Sequence, residues 1–520
     1  MELSYTLGLS WLLTAVLLYK WITGSKDFFR NKPIPSVPFF SLRDNTYSLF
    51  LKQTDLGAFT VHLYNKFAGA KIFGIFDTIK PVFVVRDPEL IKQITVKDFD
   101  HFVDRPALFG YSFRDDPYAL FSKMLPVLHG ARWRNMRNIL SPAFTGSKMK
   151  QMFQLALGCC DNVVQFLNSV QQEQQHGEVE MLLKDVTSRY GTDVISCCLF
   201  GRKLNSFQDR KNKFYTYGMD MIVLHRIVVV LKMFLIRCFP ALAAKVKVDL
   251  LDRKHAKYFN AFVDETIEDR TRNNIKGNTL IDMMIEVQLH QQSQESALPV
   301  TFTNHEIVAQ LLTLFLAGSG TFQFSSVALI HDLIMNPDVQ QKLYEEILQT
   351  QSELGTEKLN YDTIQNMKYM EMVTLESMRL HTSFSNAYRH CVKDYTVDDG
   401  NGLKFNIHQG SNVWIPILGL HMDPKYFPDP KRFDPERFNA ENRPNIHPAT
   451  YIPFGAGPRN CVARRFGLMK VKALLYHLLL NFSITASPNT PKVLPMNKAF
   501  AFLDTVDGDF PVTFKRRQKN

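Results

Sequence analysis

Residues 303–335 constrain the fold of this 520-residue chain more than any other stretch. Thr303 and Glu306 have capping-box spacing, in which each side chain satisfies the other residue's backbone N–H, so a helix is expected to start there. The apolar 3.6-residue pattern then runs to Asn336-Pro337, where proline disfavours helical backbone in the residue before it. A helix of about 32 residues is about 48 Å long, enough to cross a whole domain. It does not read as a membrane span, because His305, Glu306, Thr313, Ser319, Thr321, Gln323, Ser325 and Ser326 interrupt it. Halfway along lies Ala317-Gly318-Ser319-Gly320-Thr321. Two glycines inside a helix cost roughly 1 kcal/mol each relative to alanine, so they need a reason. One is a large flat object pressed against Ala317 and Gly318, with a loosened groove beside Thr321; another is a small-residue helix crossing.

A second segment narrows the choice. Residues 454–463 read Phe-Gly-Ala-Gly-Pro-Arg-Asn-Cys-Val-Ala and precede an apolar helical pattern. Glycines let a backbone approach a partner closely. An arginine clamps anions, and a thiolate is a strong soft metal ligand. A loop bringing Gly455, Arg459 and Cys461 to one point suits an iron porphyrin, with its soft axial position and acidic propionates. The segment resembles the haem-binding loop of the cytochrome P-450 monooxygenases, F-G-x-G-x-R-x-C-x-G, at nine of ten positions. Ala463 stands where the family usually has glycine.

Four further segments extend the resemblance in order along the chain. Trp133 and Arg137 match a W-x-x-x-R helix. Ala317, Gly318 and Thr321 match A-G-x-[D/E]-T, although Gly320 replaces the acid and Phe322 stands where a second threonine is common. Glu376 and Arg379 match E-x-x-R, and Arg437 lies in the P-E-R-F segment that joins that pair. Thr382-Ser383 replaces the Pro-Pro that often follows. The run Leu140–Met149 is similar to insect members of the xenobiotic-metabolising clan.

No low-complexity linker or repeat divides the chain, so residues 41–520 read as one catalytic body despite the length. Apolar residues at 45%, with 41 Phe, supply a core and a greasy cavity. The pattern is mainly helical after about residue 130, over 131–170, 178–200, 213–235 and 254–290. Short β pieces are expected at 81–85, 395–397 and 403–407. The net charge of +11 favours anionic partners. Nothing resembles a nucleic-acid module, which leaves a membrane or an acidic protein. Seven cysteines without a C-x-x-C argue against zinc, and the odd count argues against a disulfide scaffold.

Residues 7–22 are nearly all apolar, broken only by small polar residues and Lys20, with Lys26, Arg30 and Lys32 behind them and no Lys or Arg before. Positive charge behind predicts a membrane anchor over 1–25 with the remainder cytoplasmic; a cleaved signal ending near Thr23-Gly24-Ser25 is the alternative. The proline-rich stretch 26–40 reads as a stiff hinge.

The resemblance implies a mainly α fold with a small β part, preceded by one transmembrane helix in the endoplasmic reticulum membrane, with its N-terminus lumenal. It implies haem b held between the long helix and the Cys461 loop. It further implies electrons from NADPH through a reductase that docks on Arg132, Arg134, Arg464, Arg465 and Lys470, with cytochrome b5 as a further partner. Cys461 is then the axial thiolate. Arg459, Arg137, Trp133 and Arg389 hold propionates, with Phe454 and Gly455 in the cofactor loop, and Thr321, Gly318 and Ala317 line the oxygen-binding groove. Glu376, Arg379 and Arg437 are structural. With no acid at 320, proton delivery rests on Thr321, Ser319 and water, and leakier turnover is expected. The implied reaction is insertion of one oxygen atom of dioxygen into a lipophilic molecule. A haem-thiolate isomerase or dehydratase, and a membrane haem sensor or carrier, are the rivals. Pocket residues are expected from 101–121, 221–242, 310–322, 382–390 and around Phe500-Ala-Phe502.

Overall fold

The computed structural model describes residues 19–20, 22–106, 116, 118–174, 177–223, 227–275, 277, 279–293, 302–498 and 503–518. Most of the anchor expected over 1–25 lies outside the described residues, as do residues 499–502 at the expected pocket edge.

The helices that position the site are α1 (Leu56–Lys66), α2 (Gly130–Leu140), α3 (Gly146–Gln174), α4 (Leu183–Ile195), α5 (Lys213–Ile222), α6 (Ile227–Cys238), α7 (Arg253–Arg272), α8 (Leu280–Ser293), α9 (Asn304–Met335), α10 (Pro337–Leu354), α11 (Lys368–Leu380) and α12 (Arg464–Asn481). The long helix is α9, and both halves of its capping box are formed. It is the one helix among the described residues long and apolar enough to cross a membrane, yet 72% of its most apolar window is buried. It packs against α4, α5, α7, α11 and α12 as the rod at the centre of the core.

Among the described residues nine strands form the β part: β1 (Ile72–Asp77), β2 (Lys80–Val85), β3 (Glu178–Leu182), β4 (Ala387–His390), β5 (Tyr395–Asp398), β6 (Lys404–Ile407), β7 (Asn412–Ile415), β8 (Phe482–Ala486) and β9 (Pro511–Arg516). One sheet has the order β1-β2-β7-β4, with β2 and β7 parallel; the second is β3-β9-β8, and β5 pairs with β6 as a hairpin. Three features depart from expectation. Residues 178–182 are a strand, because Val179 alternates with exposed Glu178 and Glu180 and pairs across to β9. The helical stretch 131–170 is broken after Leu140 by the Ser-Pro turn 141–144. The proline-rich stretch is not a detached spacer: Ile34, Val37 and Phe39 are buried, and Gly74 exchanges backbone hydrogen bonds with Pro35 and Val37.

Candidate active site

The Cys461 loop is built by two glycines in left-handed backbone, Gly455 (φ 74°) and Gly457 (φ 68°). A side chain on Gly457 would collide with the Thr95 carbonyl, so the position admits nothing larger than hydrogen. A 3₁₀ turn over Gly457–Arg459 follows, and the Cys461 N–H donates to the Phe454 carbonyl at 2.9 Å, closing the loop before α12 begins at Arg464. The Cys461 side chain is exposed, whereas the other six cysteines are buried. Desolvation raises its thiol above the ordinary value, while the Ala463 N–H, Arg137, Arg105 and Arg464 act in the opposite direction.

Behind the loop lies a group of arginines, Arg459 and Arg389 buried and Arg105 half-buried. Arg459 donates through Nε to the Val103 carbonyl (2.7 Å) and through Nη2 to the Leu128 carbonyl (2.8 Å), and reaches Asp104 at 3.4 Å. Its guanidinium lies 4.0 Å from the Trp133 ring centroid. Arg389, on β4, donates to the carbonyls of Tyr388 and Ala456, both at 2.9 Å. Arg105 donates to the Arg459 carbonyl at 3.2 Å. Burial pushes all three guanidiniums below their usual range; repulsion from Arg105 adds to this at Arg389 and Arg459, while at Arg105 itself the Cys461 thiol acts against it and Arg137 with it. Among the described residues the Arg459 Nη1 and Arg389 Nε atoms are buried without a partner, and Asp104 is the one carboxylate paired with the group. Uncompensated buried cations are costly, so this donor set fits a cofactor edge carrying two carboxylates. The residues present therefore fit haem: a thiol from one side and surplus guanidinium donors for the propionates.

Two expected residues take other geometry. Arg137 donates to the Asn460 carbonyl (2.7 Å) and Oδ1 (2.8 Å), so it braces the loop one residue before Cys461. Trp133 is buried under Arg459 and orients that guanidinium. Arg105 belongs to no motif and was missed; its signal was only its place in the expected pocket region 101–121.

Facing this group is a cavity of about 320 Å³, bordered by Arg105, Phe121, Met221, Leu316, Ala317, Thr321, Phe384 and Leu503 among others. It draws on the expected regions and adds Met124–Val127 and Leu250–His255. Ala317 is exposed within an otherwise buried helix, and the Thr321 hydroxyl donates to its carbonyl at 2.5 Å, leaving the hydroxyl lone pairs free to accept. Gly318 does not serve the flat object expected against it. A Cβ there would point at Ile195 Cδ1, 3.2 Å away, so the glycine lets α4 approach. Ser319 is buried, its hydroxyl is unpartnered and it does not border the cavity, which removes it from the expected relay. At Gly320 a Cβ would lie 3.2 Å from Ile222 and 3.5 Å from Leu503, so apolar groups already fill the room an acid would need.

Glu376, Arg379 and Arg437 come together as expected. Arg379 is fully buried and pairs with both Glu376 oxygens, Nε to Oε2 at 2.8 Å and Nη2 to Oε1 at 2.9 Å. Arg437 Nε adds a 3.3 Å contact to Oε1, and the Asp434 N–H a 2.9 Å bond. Of the residues expected on the docking face, Arg134, Arg464 and Arg465 are exposed and Arg132 pairs with Glu306 at 3.2 Å. Lys470 is the exception: it is buried beneath α9 and cannot meet a partner.

The sequence model of the Cytochrome P450 family matches residues 45–507. Probable cytochrome P450 9f2 of Drosophila melanogaster is 38% identical over 475 residues, covering 90% of this chain and 91% of the relative. Cytochrome P450 9e2 of Blattella germanica is 35% identical over 536 residues, covering 99% and 98%. With a loop thiol, surplus guanidinium donors and an apolar cavity arranged as above, haem is the cofactor, electrons come from NADPH through a reductase, and the chain belongs to the cytochrome P450 family of haem-thiolate monooxygenases.

Proposed function

We propose that this monooxygenase is attached to the endoplasmic reticulum membrane and oxidises lipophilic small molecules, xenobiotic or endogenous, that enter the cavity beside Thr321. One observation carries the reading: the apolar cavity borders both the Ala317–Thr321 wall and Arg105, whose guanidinium bonds to the Cys461 loop. In this reading Cys461 is the axial ligand, and Arg459, Arg389 and Arg105 bind the propionates while Arg137 and Trp133 hold the loop and Arg459 in place. Haem, when bound, supplies oxygen activation. Thr321 accepts a water proton donor at the cavity wall, and Phe384, Leu316 and Leu503 exclude bulk water. Arg134, Arg464 and Arg465 offer a basic face to an acidic reductase.

Replacing Cys461 by Ala is the direct test. The wild-type ferrous–carbon monoxide complex absorbs at the long wavelength of thiolate ligation, and NADPH is consumed with reductase and a trial lipophile. The variant loses both; retention of the band overturns the assignment.

Membrane attachment rests on exposed apolar side chains as well as on the N-terminal segment. Ile227, Val228, Leu231 and Phe234 of α6 are exposed, and Phe234 meets Phe50, beside exposed Leu51. A protein lacking residues 1–25 should still sediment with vesicles at low salt. Full solubility without detergent would refute this second contact.

A further inference from the structure

Lys470 follows the Cys461 loop on α12 and is 1% exposed. Its ammonium donates to the Gly318 carbonyl at 3.1 Å and lies 3.4 Å from the Gly191 carbonyl. The Phe322 ring sits 4.3 Å from the nitrogen and the Phe466 ring 5.4 Å. The described residues give it no carboxylate partner. The ionisable groups facing it are the thiols of Cys198 and Cys159, and the Tyr190 hydroxyl donates to the Lys470 carbonyl at 3.3 Å.

An unpaired buried ammonium is expensive, and an apolar chain of equal length would fill the space at lower cost. The surroundings are nonetheless shaped for it. Gly191 is bare where Phe322 enters, since a Cβ there would lie 2.6 Å from the ring, and Gly318 is bare where Ile195 enters. Three helices, α4, α9 and α12, therefore converge on one cation. The carbonyl it holds is next to that of Ala317, which takes the Thr321 hydroxyl. A carbonyl has two lone pairs, so it accepts a side-chain donor beside its helical one.

We propose that Lys470 is a positioning residue for the oxygen-binding groove: its ammonium holds the Gly318 carbonyl and thereby fixes the Ala317–Thr321 turn that walls the cavity. The helix continuing from the metal-ligating loop thus sets the shape of the opposite wall. Burial pushes the Lys470 ammonium down to about 7. Below that value the cation is present and the grip is complete. As pH rises through it, a neutral amine remains, and the grip weakens.

The test compares hydrogen exchange of the α9 peptide around 315–324 in the haem-loaded full chain. Wild type, Lys470→Met and Lys470→Gln are measured one unit below and one unit above the value just given, normalised to a reference peptide. Losing a hydrogen bond from a charged donor, roughly 1.5–3 kcal/mol, corresponds to about 10–100-fold faster exchange in the Met variant. The Gln variant keeps N–H donors and stays protected, but its exchange no longer changes across the two pH values. Peroxide released per NADPH rises in the Met variant at unchanged haem content. Replacing an unpaired buried charge by an apolar chain is neutral or stabilising, so the Met variant should fold. If it does not, the Gln comparison decides alone. Wild-type exchange rates in the Met variant, or an unaltered pH response in the Gln variant, overturns the proposal.

Discussion

Two buried arginine clusters sit at equal depth in this molecule and differ in one respect. Every side-chain nitrogen of Arg379 has an acceptor: Nε and Nη2 bind Glu376, Nη1 binds the His421 carbonyl at 2.8 Å, and Nη2 also reaches the Arg432 carbonyl at 3.3 Å. Arg459 and Arg389 each keep a buried nitrogen without one, and of the two only Arg459 reaches a carboxylate, Asp104. A saturated cation is part of the fold. The crowded, unsaturated pair beside the Cys461 loop suits an anion that arrives later. Between these two clusters the contrast separates structural from cofactor-binding arginines without reference to motif; Arg86, whose Nε is also unpartnered, has the Asp423 carboxylate 3.6 Å away.

The largest test of that contrast is removal of Glu376. Glu376→Ala leaves Arg379 buried and unpaired, which should cost about 3–5 kcal/mol and leave little folded protein in a thermal melt. A variant melting within a degree of wild type would erase the distinction.

Arg459→Met should act the other way. The haem-free protein should melt no lower, because a crowded cation has gone. Haem should bind about 10–100-fold more weakly, the equivalent of the roughly 1.5–3 kcal/mol of a charged hydrogen bond. Haem titration and melting of the same samples measure both; equal losses in the two would make Arg459 structural.

The third effect, the smallest per step of pH, sharpens the saturated side. His421 is buried neutral, its Nε2 accepting the Ile452 N–H at 3.1 Å, and burial first and Arg379 second lower it to about 3. The unfolded chain therefore binds the extra proton between the free histidine value of about 6.5 and that lower one. Stability should fall as pH drops through this window, by about 1.4 kcal/mol per unit. His421→Gln should flatten that acid limb in denaturant melts, and an unchanged limb would place the titration elsewhere.

The two clusters also differ in how far they were legible. Glu376, Arg379, Cys461 and Arg459 lie in short segments whose spacing carries the chemistry, and the capping box fixed the start of α9. Arg105 was not legible, since its partner Arg459 lies 354 residues away and no local pattern marks either end of that contact. Gly318 was read toward the cofactor because a helix shows which residues share a face but not which neighbour each face meets. Lys470 was read as surface because lysine usually is, and only the convergence of three helices hides it. The strand β3 did carry a signal, the Glu-Val-Glu alternation, which the helical pattern on either side concealed.

The central strand of the three-stranded sheet is the last one made. Lys515 of β9 pairs with Glu178 of β3, 337 residues earlier, and β8 joins only through β9. At roughly 5–20 residues per second, tens of seconds of synthesis separate the two partners. Leu503, at the cavity edge, emerges only shortly before β9. The growing chain thus exposes its site components long before it can close around them, and a ribosome stalled before β9 would release a body with an unpaired sheet edge.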